Sequence, residues 1–141
     1  MVRVKIRLAS KDKSIETVAL ANSGYESETP QILIPTELAK NIGLWPPLGN
    51  VEETEFETAG GPLKVWIIPG GCKVSILTED AQSSEIDADV VISPLADEVL
   101  LSDKMISELA IVLEDAGRGF WRFRWEQAGK LRKSHPPKYW R

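Results

Sequence analysis

The tripeptide Asn22-Ser23-Gly24 is the part of this sequence whose residue types and spacing point most directly to chemistry. It follows the apolar run Val18–Ala21, so a side-chain amide stands where a strand is expected to end in a turn. Gly favours a turn because it lacks a Cβ atom, and Asn because its side chain can hydrogen-bond nearby backbone. The Asn22 amide is neutral at physiological pH and has no proton to give. The turn alone therefore predicts neither general-acid nor general-base catalysis.

Few other residues are candidates for chemistry. Asp97, Glu98 and Asp103 lie close together in the sequence, but acidic residues in loops and at helix starts usually contact solvent or cap the helix. His135 is the only histidine and Cys72 the only cysteine, so no Cys/His metal-ligand spacing exists. We expect no metal site and no cofactor. The single cysteine cannot form an internal disulfide, which suits a reducing compartment.

The elements that must position the Asn22 turn are mostly short strands. Apolar and charged residues alternate from Val2 to Leu8, which is typical of a half-buried strand. Val51–Thr58 and Leu63–Ile68 are predicted to form a hairpin across a Gly-rich connection. A separate strand is expected at Lys73–Leu77, after the breaker Pro69-Gly70-Gly71.

Two short helices and two closing strands complete the prediction. Thr36 is a candidate N-cap for a helix that ends at Gly43, and Ser102 for a helix over Asp103–Leu109. Closing strands are predicted at Ile111–Leu113 and Arg118–Trp125, and the sequence contains no internal repeat. Many short strands with two short helices favour a mainly β fold, a closed antiparallel barrel.

The same segments, taken in order, resemble the retroviral-type aspartic proteases, or retropepsins. In that family an apolar strand runs into Asp-Thr-Gly or Asp-Ser-Gly, and two copies of this turn, one from each subunit, bring two aspartates together around a water. The resemblance extends over most of the chain and rests on the following segments: Val18–Glu26, Gln31–Leu44, Glu57–Leu63, Ala88–Leu95 and Val99–Ile106.

The resemblance implies a retropepsin-type barrel over residues 1–125, with residues 126–141 as a basic aromatic C-terminal extension. It implies a homodimer whose groove holds an extended peptide or protein segment. The catalytic turn corresponds to Asn22, Ser23 and Gly24. The substrate-binding flap corresponds to Thr58, Ala59, Gly60 and Gly61.

Two residues depart from the family pattern. Asn22 replaces the catalytic aspartate, and Ser102 replaces the glycine that follows the second apolar strand. Two facing aspartates share one proton and activate a water, whereas an amide can act neither as the acid nor as the base. We therefore expect a peptide-binding homologue without peptidase activity. The alternative is an active endopeptidase, either because Asn22 deamidates to Asp before the small residue Ser23 or because Asn22 is an engineered change.

Charge is distributed unevenly along the chain. Residues 1–117 hold 9 basic and 20 acidic residues, a net charge of −11, while residues 118–141 hold 8 basic residues and one acidic residue, a net charge of +7. The aromatic residues interleaved in this tail suggest nucleic-acid binding as a further alternative, through phosphate contacts and base stacking. The competing interpretation is that the tail forms a last strand and pairs its cations with acids of the body.

The length and hydropathy of the chain limit the classes of protein to which it can belong. The 141 residues correspond to about one domain, given that domains commonly hold roughly 100 to 150 residues. No apolar run approaches the roughly 18 residues of a membrane span, and the first residues do not form the apolar stretch of a signal peptide. We therefore expect a cytoplasmic protein that does not contact a membrane.

Overall fold

The computed structural model describes residues 1–47, 52–58 and 61–141. In this part of the chain ten strands and two short helices are present. Their bounds are as follows: β1 (Arg3–Ser10), β2 (Lys13–Ala21), β3 (Gln31–Pro35), α1 (Thr36–Asn41), β4 (Glu52–Thr58), β5 (Gly61–Ile76), β6 (Ile86–Ser93), β7 (Val99–Leu101), α2 (Asp103–Glu108), β8 (Ile111–Asp115), β9 (Phe120–Phe123) and β10 (Arg132–Lys133).

Six of the strands close into a barrel, so the prediction of a mainly β barrel is confirmed. The order around the barrel is β1-β2-β7-β3-β6-β5, and β5 pairs with β1 to complete the ring. β4 lies outside the ring as an edge strand beside β5. β8, β9 and β10 form a separate sheet of three strands.

The barrel core follows from the alternation of side chains along the strands. In β1, Val4, Ile6 and Leu8 are fully buried, as the sequence pattern predicts, while Lys5 and Arg7 are exposed. The strands β3 and β7 end directly at α1 and α2, which cover the barrel with their buried apolar residues. One continuous apolar cluster results, and it includes side chains from both helices and from β9.

The barrel is mainly antiparallel, as predicted, but two of its six strand pairs are parallel. β2 pairs with β7 in parallel, and β3 pairs with β6 in parallel. Parallel neighbours cannot be joined by a tight hairpin and need a long connection. Because these partners are distant in the sequence, local turn signals contain no information about their pairing.

The chain passes twice through the same arrangement of strand, turn, strand and helix. The first passage is β2, the Asn22 turn, β3 and α1, and the second is β6, the turn Pro94–Glu98, β7 and α2. β2 lies beside β7 and β6 beside β3, while β3 and β7 pair with each other in antiparallel fashion. β1 and β5 pair with β2 and β6 and with each other. A two-fold rotation exchanges all these pairings, so the barrel consists of two similar halves although the sequence has no visible repeat.

The two helix starts differ from each other. Ser102 caps α2 as predicted, because its hydroxyl accepts a hydrogen bond from the Met105 amide at 3.2 Å. The prediction that Thr36 caps α1 is wrong. Thr36 is the first helical residue, the N-cap is Pro35 with no side-chain bond, and the buried Thr36 hydroxyl has no partner in the described part of the chain.

The prediction of a break at Pro69-Gly70-Gly71 is also wrong, since β5 continues through it. The three residues form an irregularity where the register with β6 shifts between Ile68 and Cys72. Gly70 has φ +60°, and a Cβ on Gly71 would lie 3.0 Å from side-chain atoms of Ile68 and Val90. The glycines therefore allow a bend within a strand instead of ending it.

The C-terminal segment packs against the barrel. β10 pairs with β9, and the His135 amide donates to the Arg3 carbonyl at 2.9 Å. β7 reaches only Ala19–Ala21 of β2, and Trp140 packs against the core near the earlier part of β2. The Trp140 indole donates to the Thr17 hydroxyl at 3.0 Å. Residues of the extension predicted for 126–141 therefore contact β1, β2 and the core.

None of the helices in the described ranges has the length and apolar character needed to cross a bilayer.

We predict that Trp140→Ala lowers the free energy of unfolding by about 2 to 4 kcal/mol, because it removes a large side chain packed on the core. Urea denaturation measures this change. Trp125→Ala is the matched control, because the Trp125 side chain is exposed and its ring stacks on the ring of Phe123. Its expected loss is about 1 kcal/mol. Equal losses for the two variants would contradict a structural role for Trp140.

Candidate functional site

The Asn22 turn begins where β2 ends and is held by three hydrogen bonds. The Asn22 amide donates to the Leu101 carbonyl at 3.2 Å, and the Tyr25 amide donates to the Asn22 carbonyl at 3.0 Å. The Asn22 Oδ1 atom accepts from the Gly24 amide at 3.1 Å, which is an Asx-type turn. Ser23 and Gly24 are exposed and Asn22 is half-buried, so the tripeptide is presented at the surface.

A second set of bonds joins the turn to the start of α2. The Asp103 amide donates to the Tyr25 carbonyl at 2.8 Å, and the Ser27 amide donates to the Asp103 carboxylate at 3.1 Å. The Tyr25 hydroxyl donates to the Gln31 side chain at 2.8 Å. Burial raises the pKa of Tyr25 above its usual range, so the hydroxyl remains protonated as a donor. The turn is therefore fixed at both ends.

Ser102 lies under this junction and is fully buried. Its hydroxyl accepts from the Gln31 amide at 3.1 Å as well as from the Met105 amide at 3.2 Å. Its own amide donates to the Gln31 carbonyl at 3.1 Å. A glycine at this position would leave one buried and one partly buried amide without an acceptor. The Ser102 hydroxyl thus has a structural role in this chain.

An open groove of about 360 Å³ lies beside Asn22. Asn22 and Ser23 supply polar groups at one end, and the remaining wall is mainly apolar. The lining residues are Met1, Val2, Leu20, Ala21, Asn22, Ser23, Leu113, Ala116 and Gly117. A site of this kind can accept an apolar group and fix its orientation through a few hydrogen bonds.

The amide of Asn22 supplies hydrogen bonds but no proton transfer. Oδ1 is used within the turn, and the Nδ2 group donates to no residue in the described ranges. The nearby acids have structural partners. Glu98 forms an ion pair with Arg3, and Asp103 accepts from the Ser27 and Lys104 amides. Neither carboxylate is therefore free to act as a general acid or base beside Asn22.

Asp97, the third acid near the second turn, is also engaged. Its carboxylate pairs with Arg141 at 3.1 Å, and its carbonyl accepts from the Trp140 amide at 2.7 Å. Glu26 and Glu28, which follow the Asn22 turn, are exposed. The three carboxylates therefore agree with the interpretation that acids in these loops are solvated or structural.

Of the residues predicted to form a flap, Thr58 ends β4 and Gly61 begins β5. Thr58 is opposite Gly61 in the strand register, and Gly61 has φ +108°. Ala59 and Gly60 lie outside the described residues. At the base of the hairpin, the ring of Trp66 makes an edge-to-face contact with Trp45 at 5.1 Å between centroids. The predicted antiparallel pairing of these two strands is therefore present.

Other reactive groups lie away from a catalytic arrangement. In the described ranges, no three His, Cys, Asp or Glu side chains come together in a way that would hold a metal. Cys72 is buried in the core, and burial raises the pKa of its thiol to about 12. His135 is exposed on the C-terminal segment.

Most cations of the basic tail have acidic partners in the same chain. Five of the eight basic residues in 118–141 form ion pairs: Arg118, Arg122, Lys130, Arg132 and Arg141. Phe120, Trp121 and Phe123 lie in β9, where Trp121 and Phe123 are buried. These contacts agree with the interpretation of the tail as a closing strand with paired cations.

The sequence points to Asn22, Ser23 and Gly24 but not to the residues that support them. Tyr25 and Gln31 form a bonded pair behind the turn. The one sequence signal for this contact was Gln31, a polar residue at the start of the otherwise apolar strand Gln31–Pro35. The far wall of the groove, at Leu113 and Ala116, had no sequence signal because it comes from a distant hairpin.

No protein-family model matches the sequence, and no curated protein matches it.

We predict that Ser102→Ala lowers the free energy of unfolding by about 1 to 2 kcal/mol, because the Gln31 and Met105 amides lose their acceptor. Chemical denaturation measures the loss. Ser107→Ala, at an exposed position of the same helix, is the control and should change stability by less than about 0.5 kcal/mol. A Ser102 variant as stable as the control would contradict the role assigned to the hydroxyl.

Proposed function

We propose that this chain is a retropepsin-like protein that forms a homodimer and binds an extended peptide or protein segment without cleaving it. The observation that supports this most strongly is the position of Asn22. Its turn follows an apolar strand of a closed barrel and is bonded to Leu101 at the end of a second apolar strand. The two-fold arrangement of β2, β3, β6 and β7 around this point adds support.

The loss of catalysis follows from the side chain itself. Two facing carboxylates can hold one proton and accept another from water, which is the chemistry of an acid protease. Two facing amides remain neutral and transfer no proton. The carboxylates of Asp97, Glu98 and Asp103 are engaged by Arg141, Arg3 and backbone amides, so they do not restore the pair.

Dimerisation is supported by the hydrogen-bonding state of the turn. Ser23 and Gly24 are exposed, and the Nδ2 group of Asn22 has no acceptor in the described part of the chain. In a symmetric dimer, each amide can donate to the carbonyl oxygen of the other. Amides in this position avoid the repulsion and desolvation that two carboxylates would bring to the interface.

Binding of a peptide requires backbone partners and pockets for side chains. The apolar groove beside Asn22 provides one such pocket. β4 is an edge strand, and an edge strand presents free backbone groups to which an extended segment can be added. Neither feature depends on a catalytic carboxylate, so binding is compatible with the loss of activity.

The alternative of an active endopeptidase requires Asp at position 22, by deamidation or by reversal of an engineered change. The alternative of nucleic-acid binding has less support, because ion pairs within the chain engage five of the eight basic residues of the tail.

We predict that the freshly purified chain does not cleave a peptide library between acidic and neutral pH, whereas Asn22→Asp does so below neutral pH. The reason is that the variant supplies a carboxylate pair that can share a proton. Mass spectrometry of the products measures cleavage. Intact mass of the unchanged chain must show no gain of about one dalton, the signature of an Asn amide converted to a carboxyl.

Asn41→Asp is the matched control, because Asn41 is exposed at the end of α1 and undergoes the same chemical change. It should remain inactive. Cleavage by the unchanged, undeamidated chain would contradict the proposed loss of catalysis.

We predict that the chain sediments as a dimer at micromolar concentration. Asn22→Arg should shift the population to monomer, because it places two like charges at the interface. Asn41→Arg is the control for the added charge and should remain dimeric. Analytical ultracentrifugation distinguishes the species, and a monomeric unchanged chain would overturn the dimer proposal.

A further inference from the structure

A second and larger groove lies on the outside of the barrel, bordered by the loop after β5 and by the C-terminal segment. We name it the outer groove. Its volume is about 950 Å³, within the range of small-molecule sites, which is roughly 300 to 1,000 Å³. It is lined by Lys5, Glu16, Leu77, Thr78, Glu79, Asp80, Trp121, Lys130, Leu131, Arg132, Lys133 and His135.

One wall of the outer groove is a network of ion pairs that neutralises itself. Arg132 pairs with Glu126 at 2.6 Å and with Asp80 at 2.7 Å, and Lys130 pairs with Asp80 at 3.0 Å. The bonds from Arg132 and Lys130 hold the pKa of Asp80 well below its usual range. The charged groups of this wall are therefore already paired with one another.

The cations Lys5 and Lys133 are in a different situation. Both are exposed, and neither forms an ion pair within the described ranges. The lining as a whole holds four Lys or Arg residues against three Asp or Glu residues. Glu16 and Glu79 also line the groove and form no ion pair within the described ranges, so Lys5 and Lys133 are unpaired cations in a groove of mixed charge.

A buried donor in the groove wall lacks an acceptor. Trp121 is 2% exposed, and its indole Nε1–H has no hydrogen-bond partner in the described part of the chain. Buried donors are nearly always satisfied, so an orphan in a groove wall points to an acceptor supplied from outside. Arg132 lies over the ring of the same residue at 5.7 Å, which fixes the indole in place.

We propose that the outer groove binds a small molecule that carries an oxyanion. The anionic oxygens lie against Lys5 and Lys133 and accept from the Trp121 indole, and the remainder of the molecule packs on Leu77 and Leu131. Phosphate and carboxylate share this chemistry. The volume corresponds to a ligand larger than a single inorganic ion. This site is separate from the Asn22 turn and does not depend on the peptide-binding proposal.

The test follows the five tryptophan indole N–H signals of the full-length ¹⁵N-labelled chain by NMR during titration. The probes are sodium pyrophosphate and sodium citrate, with sodium chloride at matched ionic strength as the reference. Trp121→Phe assigns the signal. We expect the Trp121 signal to shift and saturate with at least one of the two probes, which also distinguishes phosphate from carboxylate preference.

Variants of exposed lysines test the proposal even if the Trp121 variant does not fold. Lys5→Ala and Lys133→Ala should each weaken binding about five- to ten-fold, because each removes one charge contact. Lys104→Ala, an exposed lysine on α2 outside the groove, should bind like the unchanged chain. No saturable shift beyond that with chloride, or equal binding by all three variants, would overturn the proposal.

Discussion

The hydrogen-bonded junction between the Asn22 turn and the start of α2 is the constraint on which the candidate site depends. It joins the end of β2 to the end of β7 through Asn22 and Leu101, and it joins Tyr25 to Asp103. Ser102 completes the junction from below by accepting two backbone amides. These groups are partly or fully buried. If the junction opened, its N–H groups would lose their acceptors, so the observed geometry of the turn is strongly preferred.

The two-fold arrangement of the barrel explains why this junction lies where it does. β3 and β7 pair at the centre, and each is flanked by a parallel strand, β6 and β2. Each central strand is followed by a helix that covers one side of the core. The two turns nevertheless differ in their surroundings. The Asn22 turn faces an open groove. In the corresponding turn, Asp97 accepts a hydrogen bond from the Trp140 amide and forms an ion pair with Arg141.

The sequence predicts features that depend on neighbouring residues. It does not predict features that depend on contacts between distant segments of the chain. The alternation in β1 and the cap at Ser102 involve neighbours within a few residues, and both predictions are confirmed. The parallel strand pairs were missed because they join segments far apart in the chain. The glycines at Gly70 and Gly71 were interpreted as a break, yet pairing with β1 and β6 keeps the strand intact. Tertiary hydrogen bonds outweighed a local turn signal at that point.

The geometry of the turn also bears on why residue 22 is an amide. The bond to the Gly24 amide uses only the Oδ1 atom of Asn22. An aspartate offers an oxygen in the same place, so the turn is compatible with either residue and does not require Asn. The two side chains differ at the second atom, where Asn carries a donor and Asp a negative charge. Folding of the turn does not distinguish Asn from Asp. The choice of Asn therefore affects what the exposed end of the side chain contacts, which is the groove in this chain and the second subunit in the proposed dimer.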